Sequence, residues 1–303
     1  MALTALVPVV GALVFMGEPS TWAIPEVHEV LPELVILFVV GALFHVFGFV
    51  LNEWADLEVD RASGDLQDKP LVSGAVPHDE AKRTAIVAAL ATFPVLALVT
   101  FDPWTHVALL CAVLAAVAYD LRGKRVPLDV LLAGSITLLL LTGAMALGGF
   151  DPSYAPHVTL LACVGGLQFL QNLYQNAVEG GLKDADHDAL AGARTYAAVL
   201  GVAVDGEGKL VGGRVFNGSS LLMKAAQITL LLYTAVEVTD LSNHASQGVL
   251  WGILLMSMAV MVVTTGLMLP PVRFERSRLK RIFSVHELAT FAGIIVVVTP
   301  LLW

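Results

Sequence analysis

Charge is what this sequence has least of. Lys, Arg, Asp and Glu together make up 14% of its 303 residues, where a soluble domain carries about 25%. That leaves too little polar surface to cover a water-soluble globule, so the chain is read as an integral membrane protein. Cysteine is nearly absent. Cys111 and Cys163 both fall in apolar runs and are read as small buried packing residues without a disulfide. A basic leader is also missing. The first apolar run starts at once, with no positive n-region or small-residue cleavage site, and is read as a span and not as a removed signal. The net charge of −9 is unevenly spread along the chain, and no nucleic-acid partner is expected.

In place of charge, 57% of the residues are hydrophobic. They gather in nine segments, at 2–17, 32–54, 81–100, 104–121, 127–149, 157–179, 219–239, 246–269 and 283–302. At about 20 residues per helix the length has room for eight to ten spans. The runs are continuous and rich in Leu, Ala and Val, without the strict alternation of barrel strands. The expected fold is therefore all-α and polytopic, with nine transmembrane helices in a single domain over 1–303.

Basic residues are missing from every second connection. All 17 Lys and Arg follow an even-numbered segment or flank it: Arg61 to Arg83, Arg122 to Arg125, Lys183 to Lys224, and Arg273 to Arg281. The opposite connections carry Glu18, Glu26, Glu29, Asp102, Asp151 and Asp240. The positive-inside rule then puts the N-terminus in the cytoplasm and the C-terminus outside, in a multi-pass protein of the cell membrane. The extended loops, at about 55–80 and 180–218, are cytoplasmic in this reading, which places the chemistry at the inner face. Residues 201–216 contain Asp205-Gly206 between β-prone runs and predict a small surface hairpin, taken as an insertion without catalytic function.

Two acidic motifs stand out. The second segment ends in LNEWADLEVDRASGDLQDKPLVSG, where Asn52, Asp56 and Asp60 are spaced four apart and share one helix face. Glu53, Glu58, Asp65 and Asp68 add negative charge. Like charges at this spacing repel, and a cation relieves them. Mg²⁺ suits the donors, since it takes one or two carboxylates and keeps water and phosphate as further ligands. An acidic run alone would be a solvated loop, but this one is tied to a helix end, to Lys69-Pro70 and to a second copy. That copy follows the sixth segment, with Asp184 and Asp188 four apart, Lys183 before them and Arg194 after. Upstream, Gln168, Asn172, Gln175 and Glu179 recur at helical steps, with Gln171 and Asn176 beside them. Such a stripe faces either a cavity or a neighbouring helix, and the cavity reading is favoured. Two acidic sites with interleaved basic residues are the parts needed to bind a diphosphate.

These residues resemble the UbiA superfamily of intramembrane prenyltransferases. The family's first motif is similar to Asn52, Glu53, Asp56 and Asp60 followed by Lys69-Pro70-Leu71-Val72-Ser73-Gly74. Its second is similar to Asp184, Asp188, Gly192, Arg194 and Thr195. A third segment after the fourth span reads Tyr119, Asp120, Arg122, Lys124, Arg125, Val126 and Pro127. This chain departs from the pattern at Glu53, where the family has Asp, and at Asp120, where it has Ser. It also lacks a basic residue at the first span.

The resemblance implies helices bundled around a central chamber open to lipid. It implies transfer of an isoprenoid from a polyprenyl diphosphate donor to a hydrophobic acceptor, aromatic or lipid. Asn52, Asp56 and Asp60 would hold one Mg²⁺ and Asp184 and Asp188 a second. Lys69, Arg122, Lys124, Lys183 and Arg194 would contact phosphate, Asn172 and Asn176 would contact substrate, and Tyr119 would face the allylic cation. His45 and His286-Glu287 stay open between acceptor contact and packing. The acceptor could be a quinone precursor, a prenylated glycerol phosphate, a tetrapyrrole or a carotenoid chain. A transporter is the rival class, but its ion sites would lie near the midplane with inverted repeats, and none is visible here. A non-catalytic scaffold would have no use for paired Asp motifs.

Overall fold

The computed structural model describes residues 3–16, 27–62, 66–123, 125–148, 155–239, 241 and 247–299. Among these residues the fold is all-α apart from one small sheet. Each predicted apolar segment falls on a helix: α1 (Leu3–Met16), α2 (Val27–Ala55), α4 (His78–Leu96), α5 (Pro103–Arg122), α6 (Asp129–Gly148), α7 (Ala155–Tyr174), α11 (Arg214–Tyr233), α12 (Gln247–Met268) and α13 (Arg276–Val298). Short helices α3 (Leu57–Ala62), α8 (Gly181–Lys183), α9 (Ala185–Ala191) and α10 (Tyr196–Val199) lie between them.

Among the described residues six helices are long and apolar enough to cross a membrane: α2, α5, α6, α11, α12 and α13. The shortfall in the others has local causes. The apolar stretch of α1, Thr4–Phe15, is too short. The first turns of α4 carry Asp79, Glu80, Lys82 and Arg83. In α7 the apolar run is broken by Gln168, Gln171 and Asn172. The six helices leave large apolar side chains exposed, among them Phe38, Phe49, Leu114, Leu222, Met256 and Ile295. Lipid is the solvent that fits such faces.

The helices group into two compact units. In the first, which holds the described residues of 3–16, 27–123 and 130–148, α2 packs against α1, α4 and α5. Close approach relies on small residues. A Cβ on Gly143 of α6 would sit 1.8 Å from the Pro8 carbonyl oxygen of α1. Ser135 of α6 donates to the Ala112 carbonyl of α5 at 2.9 Å. Asp102 caps α5, accepting from the Thr105 amide at 2.7 Å, and Pro103 opens the first turn.

The second unit holds the described residues of 155–299 together with 125–129. There α11, α12 and α13 pack on α7 around Leu231, Leu254, Met261 and Val297. The hairpin expected in 201–216 is present. Strand β1 (Ala203–Val204) pairs antiparallel with β2 (Lys209–Val211), and Asp205 caps the turn by accepting from the Glu207 and Lys209 amides. The hairpin also pairs with β3 (Val272–Arg273), so it is not a free surface loop. Leu210 is fully buried among Tyr174, Phe216, Met268 and Phe283. Both cysteines are free, as expected, but only Cys163 is buried. Cys111 lies on an exposed face of α5, because that position points away from the packed side of the helix.

Candidate active site

With 29 residues, α2 is about 44 Å long, more than the ~30 Å hydrocarbon core. Its C-terminal turns, carrying the first motif, can therefore stand clear of the lipid. The chain keeps its helical path through Asp56. The Asp56 amide donates to the Asn52 carbonyl and the Asp60 amide to the Asp56 carbonyl, both at 2.9 Å. Asn52, Asp56 and Asp60 thus keep the shared face predicted from their spacing. Asp60 is buried and the other two are half-buried.

Lys69 folds back onto this face. Its Nζ donates to Asp60 Oδ2 at 2.7 Å and to Glu53 Oε1 at 3.0 Å. Burial works against the ammonium, but these two bonds and the two carboxylate charges outweigh it and hold the lysine pKa above its ordinary value. The loop reaches this position because the Ser73 amide donates to the Lys69 carbonyl and the Val76 amide to the Pro70 carbonyl. Leu71 then packs with Leu57 and Ala81. Glu53 is therefore a partner of Lys69. Its extra methylene, relative to Asp, gives it the reach.

The sequence marks Asp120 only as a replacement for Ser. The structure buries it on α5, leaves its Oδ2 without a hydrogen-bond partner among the described residues, and sets it near enough to Asp56 for the two charges to repel. Nothing in the spacing of the first motif signals it, because it comes from another helix. Tyr119, in the last turn of α5, is half-buried and Arg122 is exposed. Lys124 and Asp65 lie outside the described residues. His45 stacks on Phe49, with centroids 6.1 Å apart.

The second motif follows a π-helical turn, Gln175–Gly180, that continues α7. Asp184 sits between α8 and α9 with φ −102° and ψ 9°, and α9 ends at Gly192 with φ +63°, a left-handed cap that favours glycine. The Asp188 amide donates to the Asp184 carbonyl at 2.8 Å, so the two carboxylates lie one turn apart. Asp184 is half-buried, with Lys183 Nζ 3.5 Å from its Oδ2. Asp188 is buried and accepts from Thr195 Oγ1 at 2.8 Å. Arg194 is exposed. Arg276, at the start of α13, donates from Nε to the Lys183 carbonyl at 3.2 Å and from Nη2 to Asp186 Oδ1 at 2.6 Å.

The polar stripe does not keep one environment. A π turn adds a residue to the helical repeat and shifts the phase of the residues beyond it. Asn172 and Asn176 donate to carbonyls of their own helix, Gln168 at 2.8 Å and Asn172 at 2.7 Å. Gln171 instead accepts from Gln227 of α11, and Gln175 donates to Glu287 of α13. Glu179 is 2% exposed with no hydrogen-bond partner for either oxygen among the described residues. His286 Nε2 lies 3.9 Å from Glu179 Oε1, while His286 Nδ1 meets Thr264 Oγ1 at 2.7 Å and the ring stacks on Tyr174. Lys224, read from the sequence as a loop-flanking charge, lies inside α11 and is 2% exposed. It donates to Gln227 and sits 4.0 Å from the Tyr174 ring centroid. Among the described residues no three His, Cys, Asp or Glu side chains converge as a preformed metal site.

Residues 5–206 match the UbiA prenyltransferase family, a match that takes in both acidic motifs. The chain belongs to the UbiA prenyltransferase family. UbiA relatives include the 4-hydroxybenzoate octaprenyltransferase of Aeromonas hydrophila, 29% identical over 199 residues that cover 63% of this chain and 65% of that protein. The digeranylgeranylglyceryl phosphate synthase of Methanoculleus marisnigri is 27% identical over 176 residues, 58% of this chain and 60% of that one. The chain thus spans less than two thirds of the length of these relatives. The UbiA fold extends further. A UbiA homolog from Aeropyrum pernix K1 superposes with a TM-score of 0.70 at 19% identity, over 97% of this chain and 96% of that one. A homolog from Archaeoglobus fulgidus, solved with DMAPP and Mg²⁺, gives 0.60 at 19% identity, over 98% and 95%.

Proposed function

We propose that this UbiA protein transfers an isoprenyl chain from an allylic polyprenyl diphosphate to an aromatic quinone-precursor acceptor within the membrane, with Mg²⁺ as cofactor. The observation that carries this reading is the pair of one-turn carboxylate motifs, each set at a helix end beside a lysine. The donors fit the ion. Asn52, Asp56, Asp60, Asp184 and Asp188 offer only hard oxygen ligands, and Mg²⁺ needs few from the protein because water and phosphate complete its shell. The first three would hold one ion and the last two a second. When bound, Mg²⁺ neutralises the diphosphate as a leaving group.

The chain's own residues do the rest. Lys69, Arg122, Lys124, Lys183 and Arg194 supply positive charge to the phosphate oxygens. The donor's C1–O bond breaks and its electron pair leaves with the diphosphate. The Tyr119 ring face stabilises the allylic cation, and Asn172 and Asn176 orient substrate through their amide oxygens. The acceptor then bonds to C1 and loses a proton. Apolar helix faces keep water from the cation. In this reading the chain crosses the membrane nine times around a central chamber, with the N-terminus inside and the C-terminus outside. The likeness to the Methanoculleus protein supports a second acceptor, a prenylated glycerol phosphate.

The test is Mg²⁺-dependent transfer from a labelled allylic diphosphate in detergent or lipid. Asp56→Asn and Asp184→Asn should each lower the rate by at least about 10²-fold with the melting temperature kept. Full activity in both would falsify the metal assignment. Ion flux in liposomes without prenylated product would favour a transporter. Mass spectrometry of copurifying lipids, then an acceptor screen, decides between the two acceptor classes.

A further inference from the structure

We propose that Arg276 is a positioning residue that holds the second acidic motif in its metal-binding shape, an inference that rests on the function proposed above. Arg276 lies beyond the residues matched by the family. Its guanidinium binds the motif loop on both sides of Asp184. Nε donates to the Lys183 carbonyl at 3.2 Å, and Nη2 donates to Asp186 Oδ1 at 2.6 Å and lies 2.9 Å from His187 Nε2. A planar fork fixes the spacing and angle of the groups it bridges, which a lysine ammonium cannot do.

The same helix holds the approach to the motif. Glu287 accepts from Gln175 at 2.5 Å and His286 faces Glu179, both in the π turn. Leu279 and Phe283 pack in one cluster with Leu182 and Ala185. α13 is thus a template along the stretch 175–187, and Arg276 attaches it on both sides of Asp184. With these partners the guanidinium is committed to the loop, so it shapes the site without touching the diphosphate.

The sign of the effect separates positioning from charge. A cation beside two carboxylates weakens their hold on a metal, so removing it should tighten binding if charge were its only role. Loss of a positioning contact should loosen binding.

The experiment titrates Mn²⁺, an oxygen-seeking stand-in for Mg²⁺, into the full-length protein in detergent without substrate, reading free Mn²⁺ by EPR. Arg276→Lys keeps the charge and loses the fork, whereas Arg276→Met loses both. Both should weaken Mn²⁺ binding about tenfold and raise the Mg²⁺ requirement of transfer, with the rate at saturating Mg²⁺ within about twofold of wild type. Asp186→Asn opens the same clamp from the loop side and serves if Arg276→Met fails to fold. Combined with Arg276→Lys it should be no weaker than the poorer single variant. Unchanged or tighter binding in the Arg276 variants, with wild-type binding intact, overturns the positioning role alone. Wild-type protein with no Mn²⁺ site sensitive to Asp184→Asn overturns this inference, and transfer that proceeds without a divalent ion overturns the metal reading beneath it.

Discussion

Replacing Lys224 with methionine would remove a buried amine that donates to Gln227 Oε1 and stands 4.0 Å from the Tyr174 ring centroid. Lys224 and Gln227 are both almost fully buried. The amide oxygen of Gln227 would be left inside the protein without this donor. Leaving a buried acceptor unpaired costs about 1–3 kcal/mol. At about 2–4 °C per kcal/mol, that is a fall in melting temperature of roughly 2–12 °C. Intrinsic fluorescence during a thermal ramp in detergent reads it directly. Lys224→Gln keeps a hydrogen-bond donor at this position and should lose less than Lys224→Met. A fall of less than about 1 °C in Lys224→Met, or Lys224→Gln less stable than Lys224→Met, would refute the argument that this donor is what the buried site requires.

Lys69→Met should cost about 1–2 kcal/mol by breaking two charge-assisted bonds. Because the folded lysine pKa is raised, its contribution is present in full below the ordinary value of 10.5 and is lost as pH climbs through the higher folded value. The melting-temperature gap to wild type should therefore hold steady from neutral pH to about 10 and close above 10.5. Thr195→Val removes the hydroxyl that Asp188 accepts from at 2.8 Å. Steady-state kinetics should show a Mg²⁺ requirement raised roughly fivefold, the equivalent of one lost hydrogen bond. Gly143→Ala drives a methyl into the Pro8 carbonyl and should destabilise by about 1–3 kcal/mol, read as a lower melting temperature.

The parts of the fold and site that rest on local spacing were legible in the sequence. Asn52, Asp56 and Asp60 repeat every four residues, and the backbone hydrogen bonds carry that spacing into one face. Asp205-Gly206 announced a hairpin, and the strands are there. What could not be read came from neighbours far along the chain. The π turn at Gln175–Gly180 shifts the phase of the polar stripe and sends Gln175 and Glu179 to α13. Nothing in a pattern of three- and four-residue steps announces an extra residue per turn. The sequence groups Lys224 with the loops because positive charge is costly in a span, and its burial rests on Gln227 one turn on in its own helix and on the Tyr174 ring of α7, which only tertiary packing brings near. Asp120 and Arg276 sit near the two motifs only through tertiary packing.

The three-strand sheet joins stretches of chain some sixty residues apart, with Lys209 opposite Arg273 and Leu210 opposite Val272. A protease cut at the Glu207–Gly208 tip would therefore leave no dangling ends. The two halves would remain stitched through strand pairing and the buried Leu210 side chain, and a chain severed there should still migrate as one particle in mild detergent.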